Sequence, residues 1–233
     1  MKETLQYLRK TDLMSNKIKL AIIALHPIIY QTPLFRDFQK MINEERLNIK
    51  QKVFFCSDLS LKEKYFKETD CKFKPDTPDL LKGFDYKTVK NYGTENGNFF
   101  SRINPSLILR LMIYKPDVIL MHGISNITSI LTLIYAKLFF IKLIYRGEST
   151  LNKNNLHTGI KLYFLKFIYS LFDIVLYSCD GNLKYFNYFN IEKDKLIYYP
   201  CSVDNDFFKN RIENTINSSF TIVFPARFTE RKN

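Results

Sequence analysis

Six short apolar runs, each bounded by charge, Pro or Gly, constrain the fold of this chain more than any other feature. They are Lys17–Leu25 (KIKLAIIAL), Lys52–Cys56 (KVFFC), Pro116–Met121 (PDVILM), Ile141–Tyr145 (IKLIY), Asp173–Tyr177 (DIVLY) and Lys195–Tyr199 (KLIYY). The first is continuous rather than alternating, as expected of a parallel strand covered on both faces. Between the runs lie segments of helical spacing: Pro33 to Leu47, Asn104–Pro105 to Tyr114, Ser125 or Asn126 to about Phe139, Gly159 to Phe172, and Gly181 to Phe189. Thr32 is placed as N-cap of the first helix, with Pro33 as its first helical residue. Strand and helix in alternation with short connections predict a doubly wound, mostly parallel α/β sheet. Only Leu59 to Asn98 breaks the rhythm, with turn signals and one strand expected around Tyr86 to Asn91.

Length and composition set the outer bounds. A chain of 233 residues, 46% hydrophobic, buries a full core. Its net charge of +12 favours an anionic partner. The basic residues are scattered among acidic ones with no run of five, so a nucleic-acid patch is not supported. Cys56, Cys71, Cys179 and Cys201 form no Cys-x-x-Cys pair, which argues against a metal site or disulfide framework and for reduced thiols in the cytoplasm. The charged opening MKETLQYLRKTDLMSNKIKL lacks the apolar core of a signal peptide. From Ile127 to Tyr145 the chain is nearly long and apolar enough to span a bilayer. Lys137 and Lys142 inside that stretch would each cost about 2.5–3.5 kcal/mol at the bilayer centre, so a buried helix running into a buried strand is expected instead.

In open α/β sheets ligands gather beyond the carboxyl ends of the strands. The segments that fall there are His26–Tyr30, His122–Gly123, Arg146–Ser149, Ser178–Asn182 and Cys201–Asn205. HPIIYQTP follows the first strand where a dinucleotide-binding chain would carry GxGxxG. His122 is either a ligand contact or a structural loop histidine. Glu148 either meets a ligand or pairs locally with Arg146. Tyr30 and Arg36 follow the first strand, where Tyr30 has an alternative as a hydrophobic staple. Asp180, Gly181 and Asn182 read equally as a ligand contact or as a turn and helix cap. In Gly159–Tyr169, Lys161 and Lys166 stand among aromatics, which suits either an anionic lipid surface or a helix packed on the sheet.

Taken in order, HPIIYQTPLFRDF, KPDVILMHG, LIYRGES, DIVLYSCDGNLKYF, KLIYYPCSVDNDFF and FPARFTERKN resemble the family 4 glycosyltransferases, retaining enzymes of the GT-B fold. The likeness is to their bacterial polysaccharide and lipopolysaccharide branch and runs from about Ile18 to Asn233. It implies that residues 1–203 are a Rossmann-like acceptor-side domain, and that 204–233 are a linker and the first strand, Phe220–Phe224, of a nucleotide-sugar-binding domain. It implies that Arg227 and Lys232 match the two cations of the family's Gly-Arg-x-x-x-x-Lys motif, with Ala226 in place of its Gly. Such cations stabilise the diphosphate charge that develops as the glycosidic bond breaks. Glu148 and His122 then become the candidates nearest the chemistry, and Tyr30, Arg36, Arg146 and Asn182 the cleft contacts.

The resemblance further implies a nucleotide-sugar donor as substrate, a glycan or lipid-linked acceptor, and no metal or other cofactor. It implies a place in the cytoplasm or on the cytoplasmic face of the membrane. The donor-binding remainder of the family's second domain, with its Glu-x7-Glu element, would follow Asn233, so this chain alone is expected to be inactive. Two other readings stand beside it: an acceptor-binding, membrane-docking half of a two-chain transferase, and an α/β protein that binds an anion.

Overall fold

The computed structural model describes residues 17–61, 64–66, 71–73, 80–94, 98–151 and 157–202. Its strands are β1 (Ile18–Ala24), β2 (Ile49–Phe55), β3 (Lys64–Phe66), β4 (Cys71–Phe73), β5 (Tyr86–Thr88), β6 (Val118–His122), β7 (Lys142–Arg146), β8 (Ile174–Tyr177) and β9 (Leu196–Tyr198). Its helices are α1 (Thr32–Glu44), α2 (Pro105–Tyr114), α3 (Ile127–Leu138), α4 (Gly159–Ser170) and α5 (Asp180–Tyr188). Seven strands form one sheet in the order β5-β2-β1-β6-β7-β8-β9, and every neighbouring pair is parallel. β3 and β4 make a separate antiparallel hairpin. This is the doubly wound α/β sheet that the apolar runs predict.

Each face of the sheet has its own core. Alternate residues of β1 point to opposite sides: Ala21 and Ile23 join Ile119, Met121, Leu143, Tyr145 and Val175, and Ile22 and Ala24 join Val53 and Phe55. The first side is covered by α2, α3, α4 and α5 through Leu107, Leu111, Leu133, Tyr169 and Phe186. The second is covered by α1 through Phe35, with Phe84 beside it. At the foot of the sheet Lys19 N–H donates to Asp117 Oδ2 at 2.7 Å while Asp117 N–H donates to the Lys19 carbonyl at 2.9 Å, a reciprocal latch between β1 and β6.

Several boundaries differ from expectation for local reasons. Thr32 is the first residue of α1 and Gln31 its cap. The Thr32 side chain is buried and donates through Oγ1 to the Ile28 carbonyl at 3.2 Å, so it cannot cap. α1 stops at Glu44 rather than Leu47, because Arg46 takes a left-handed conformation at φ 49°. β2 begins at Ile49, three residues before the predicted start, since Ile49 and Gln51 are already buried. Ile127–Tyr145 is α3 followed by β7, and no helix among the described residues is long and apolar enough to cross a membrane. The cap of α3 is Asn126, whose side chain accepts the Ser129 N–H at 2.9 Å.

The outward surfaces of the helices differ sharply. α1 shows Asp37, Lys40, Asn43 and Glu44 to solvent, and α5 shows Lys184 and Asn187. α2, α3 and α4 instead expose Leu109, Ile113, Ile134, Leu138, Ile160, Tyr163, Phe164 and Phe167. Four helices end on a residue with positive φ: Arg46, Lys115, Phe140 and Asn190.

Candidate functional site

Strand order reverses between β1, which connects forward to β2 on one side, and β6, which begins the run toward the other edge. The crevice beyond the carboxyl ends of these strands is where such sheets take ligands. Three chain segments meet there: the turn after β1, the end of β6 at His122, and the end of β7 at Arg146. His122 and Arg146 are register partners, and the Gly123 N–H donates to the Arg146 carbonyl at 3.0 Å. Gly123 has φ +85°, a conformation costly for any residue with a Cβ, so the chain turns away sharply and leaves His122 at the edge. Gly147 answers a different need, because a Cβ there would run into the buried Tyr145 hydroxyl. Only glycine lets the chain pass over that phenol and set Arg146 and Glu148 on either side of the crossing.

His122 lies edge-on to Phe35 of α1, with ring centroids 5.9 Å apart. The residue as a whole keeps some exposure, but its Nε2 is enclosed and has no hydrogen-bond partner. Burial, and then the Arg146 cation, push its pKa down to about 3, so the ring is neutral at physiological pH. A neutral imidazole donates from one nitrogen and accepts at the other, which suits a hydroxyl ligand.

Arg146 is only 5% exposed. Its guanidinium lies over the Tyr199 ring at 5.0 Å from the centroid and reaches the Cys201 sulfur at 3.7 Å. Among the described residues no carboxylate pairs with it. The local Arg146–Glu148 ion pair is not formed, since the guanidinium is held by Tyr199 and Cys201. Tyr30 completes the group: burial raises its pKa, Glu148 raises it further, Arg146 lowers it and Cys201 raises it, so the phenol stays protonated beside both charges. Tyr30, Arg146 and Glu148, named separately from sequence, are thus brought into one electrostatic neighbourhood with His122. The cluster offers a buried cation for an anionic group, a neutral imidazole and a phenol for hydroxyls, and an exposed carboxylate at its rim.

The remaining candidates sit differently. Arg36 donates from Nε to the Lys82 carbonyl at 3.0 Å and its stem packs against Gly83, which ties α1 to the turn before β5. Asn182 is fully buried, its amide donating to the Ser149 carbonyl at 2.8 Å and its oxygen accepting the Ser178 N–H at 3.1 Å. It therefore clamps the start of α5 to the Arg146–Ser149 segment. Arg227, Lys232 and the expected linker and strand of residues 204–233 lie outside the described residues. No group of three or more His, Cys, Asp or Glu suited to a metal ion occurs among the described residues.

Three contacts of this edge escaped sequence reasoning. Tyr199 was visible only as the end of a strand, and Cys201 only as the start of the segment beyond it, since Cys201 stands 55 positions from the arginine it touches. Asn104 was visible only as the start of a helix. In the structure its side-chain amide donates to the Cys56 carbonyl at 2.8 Å and the Lys90 carbonyl at 2.9 Å, and its oxygen accepts from Thr128 Oγ1 at 2.9 Å. One side chain thereby fixes the ends of β2, the segment after β5 and the start of α3.

No family model and no curated protein matches the chain. Solved structures do match. A structure of Anabaena HepE in complex with UDP and glucose is 11% identical, with a TM-score of 0.50, over 82% of this chain and 46% of that one. A putative UDP-N-acetylglucosamine 2-epimerase from Listeria monocytogenes is 16% identical with a TM-score of 0.49, over 77% of this chain and 44% of that one. The UDP-GlcNAc 2-epimerase of Methanocaldococcus jannaschii is 16% identical with a TM-score of 0.44, over 78% and 45%. The chain spans less than half the length of each of these structures. The likeness to HepE bears out the doubly wound, Rossmann-like α/β fold.

Proposed function

We propose that this sheet is the acceptor-side domain of a family 4-like retaining glycosyltransferase that moves a sugar from a nucleotide-sugar donor to a glycan or lipid-linked acceptor in cell-surface polysaccharide synthesis. One observation carries the reading: a buried arginine with no carboxylate partner among the described residues stands in register with His122, at the point where the strand order reverses. A buried cation is costly unless something anionic or strongly polar completes it, and a phosphorylated substrate supplies that group. In this reading Arg146 draws an anionic part of the substrate into the crevice. His122 and Tyr30 hold sugar hydroxyls, and Glu148 faces the positive charge that builds on the sugar ring as the donor bond breaks. Arg227 and Lys232 hold the departing diphosphate. The groups of the crevice thus orient the acceptor hydroxyl for attack.

Calorimetric titration of the 233-residue chain tests the acceptor side directly. A polyprenyl-phosphate-linked glycan is expected to bind, with at least a tenfold loss in Arg146→Gln. Tight binding of UDP-glucose by the isolated chain, with no binding of the glycan, would overturn the assignment.

A further inference from the structure

We propose that Arg102 forms a second anion subsite at the carboxyl edge of the sheet, one that takes an acid group of an anionic glycan. The anion site stands on Arg102 and its surroundings, while naming a glycan as the ligand rests on the acceptor reading. Arg102 lies two residues before Asn104, the cap of α2, and its carbonyl accepts the Thr128 N–H of α3 at 3.1 Å. The Asn104 N–H donates to Thr128 Oγ1 at 2.9 Å and that hydroxyl donates to Asn104 Oδ1 at 2.9 Å, so the starts of α2 and α3 meet here. Arg102 is only 6% exposed. Its Nη1 donates to the carbonyl of neighbouring Ser101 at 2.8 Å, and its Nε is enclosed without a partner. Among the described residues no carboxylate pairs with it. Cys56 stands near it at the end of β2, but burial pushes that thiol up to about 12 against a smaller lowering by Arg102, so the sulfur stays neutral and cannot balance the charge.

The two helices add to the imbalance. A helix N-terminus carries a partial positive charge, and neither α2 nor α3 has an acid in its first turn. A desolvated guanidinium beside two such ends is costly unless an anion offsets it, and one anion offsets all three. The N–H groups of Thr128 and Ser129 are taken by the Arg102 carbonyl and the Asn126 side chain. The guanidinium fork therefore makes the direct contact, and the helix ends contribute their field.

Spacing and the chemistry of the rim select the ligand. Arg102 stands by the end of β2 and Arg146 ends β7, three strand intervals away in the order β2-β1-β6-β7, so the two cations are on the order of 15 Å apart. A single phosphate or diphosphate cannot span that interval, whereas an oligosaccharide with acids on separate sugars can. The turn leading into Arg102 exposes Phe99 and Phe100. Tyr92, whose N–H donates to the Ile103 carbonyl at 2.9 Å, is exposed beside it with Lys90 Nζ 4.9 Å from its ring centroid. Aromatic faces receive the apolar faces of sugar rings, and cations receive their acids.

Calorimetric titration of the full chain tests the subsite with tetragalacturonate, its methyl ester, and a tetrasaccharide joined by phosphodiesters, the two acidic probes separating a carboxylate from a phosphate source. One of the acidic probes is expected to bind at least tenfold tighter than the ester. Arg102→Met is expected to lower that binding at least tenfold while Tm holds or rises, since an apolar side chain of similar reach replaces a buried charge. Phe99→Ala with Phe100→Ala, at exposed positions, is expected to weaken it without loss of fold. Equal binding of acid and ester would overturn the proposal, as would tighter binding of a single-stranded oligonucleotide than of either acidic glycan. Glycan binding that Arg146→Gln abolishes and Arg102→Met leaves intact would overturn the subsite while the acceptor reading stands. Failure of every glycan to bind would overturn the acceptor reading, and the Tm of the chain in inorganic phosphate then decides Arg102 alone: a rise lost in Arg102→Met supports the anion site, and a rise retained there overturns it.

Discussion

Two buried polar groups sit at the same carboxyl edge of the sheet and behave in opposite ways. The Asn104 group is closed: amide, oxygen and backbone N–H all find partners in Cys56, Lys90 and Thr128 within 2.9 Å. The His122–Arg146 group is open: one imidazole nitrogen has no partner, and the guanidinium is met by sulfur and an aromatic ring. The Arg146 side chain and the His122 Nε2 atom are hidden from water as Asn104 is, so burial does not distinguish them. Completeness does. A closed buried network ties elements together, and an open one holds polar capacity that the fold itself does not use. Asn182, with both ends of its amide bonded, belongs with the closed kind despite its place beside the crevice.

The contrast is breakable. The largest effect should come from Asn104→Ala, which strands two carbonyls and a buried hydroxyl and is expected to cost about 3–5 kcal/mol in urea unfolding. A loss below about 1 kcal/mol would remove the distinction between the two groups. Next comes Gly147→Ala, whose methyl meets the Tyr145 hydroxyl. About 1–3 kcal/mol of destabilisation is expected, with only partial relief in the Tyr145→Phe background, which removes the hydroxyl but keeps two ring carbons that the methyl would also meet.

A pH effect of intermediate size tests the open side. The His122 pKa is about 3 in the folded chain against an ordinary value of 6.5, so as pH falls the unfolded chain takes up this proton first. The stability held by the neutral ring is therefore complete above about pH 6.5 and lost progressively as pH drops toward 3. In His122→Gln the slope of stability against pH across that window should flatten, as measured by denaturant titration at several pH values. An unchanged slope would show that the imidazole is not enclosed. The smallest stability change is expected for Arg146→Met. An apolar side chain of similar reach removes a buried charge, so stability should shift by no more than about 1 kcal/mol while binding of an anionic ligand falls tenfold or more.

What could be read in the sequence was whatever is local. The Lys17–Leu25 run announces β1, Asn126 announces the start of α3, and RGES at the end of an apolar run places Arg146 and Glu148 beside a crevice. Thr32 shows the limit even of local signals. Its neighbours spell a cap, but the turn from Ile28 draws the hydroxyl inward to a carbonyl and passes the cap position to Gln31. What could not be read depends on distant partners. Asn104 acts on residues 14, 24 and 48 positions away, and no spacing rule connects them. The mate of Arg146 in its crevice is a cysteine beyond two intervening helices, which looks in sequence like the start of the segment after a strand. The apolar exterior of α2 and α3 was equally concealed, because a hydrophobic helix in an α/β chain is ordinarily taken to be covered.

The Lys19–Asp117 latch has a kinetic meaning. β6 to β9 are added one neighbour at a time, each joined to the last by a single helix, so that half of the sheet assembles through short-range crossovers. Its seam with the β1–β2 half joins residues 98 positions apart, the long loop whose closure is slow and entropically costly. During synthesis the first half must wait, with one edge of β1 open, until β6 has emerged. The crevice lies on that same seam, so the site comes into being only once this late, long-range contact has closed.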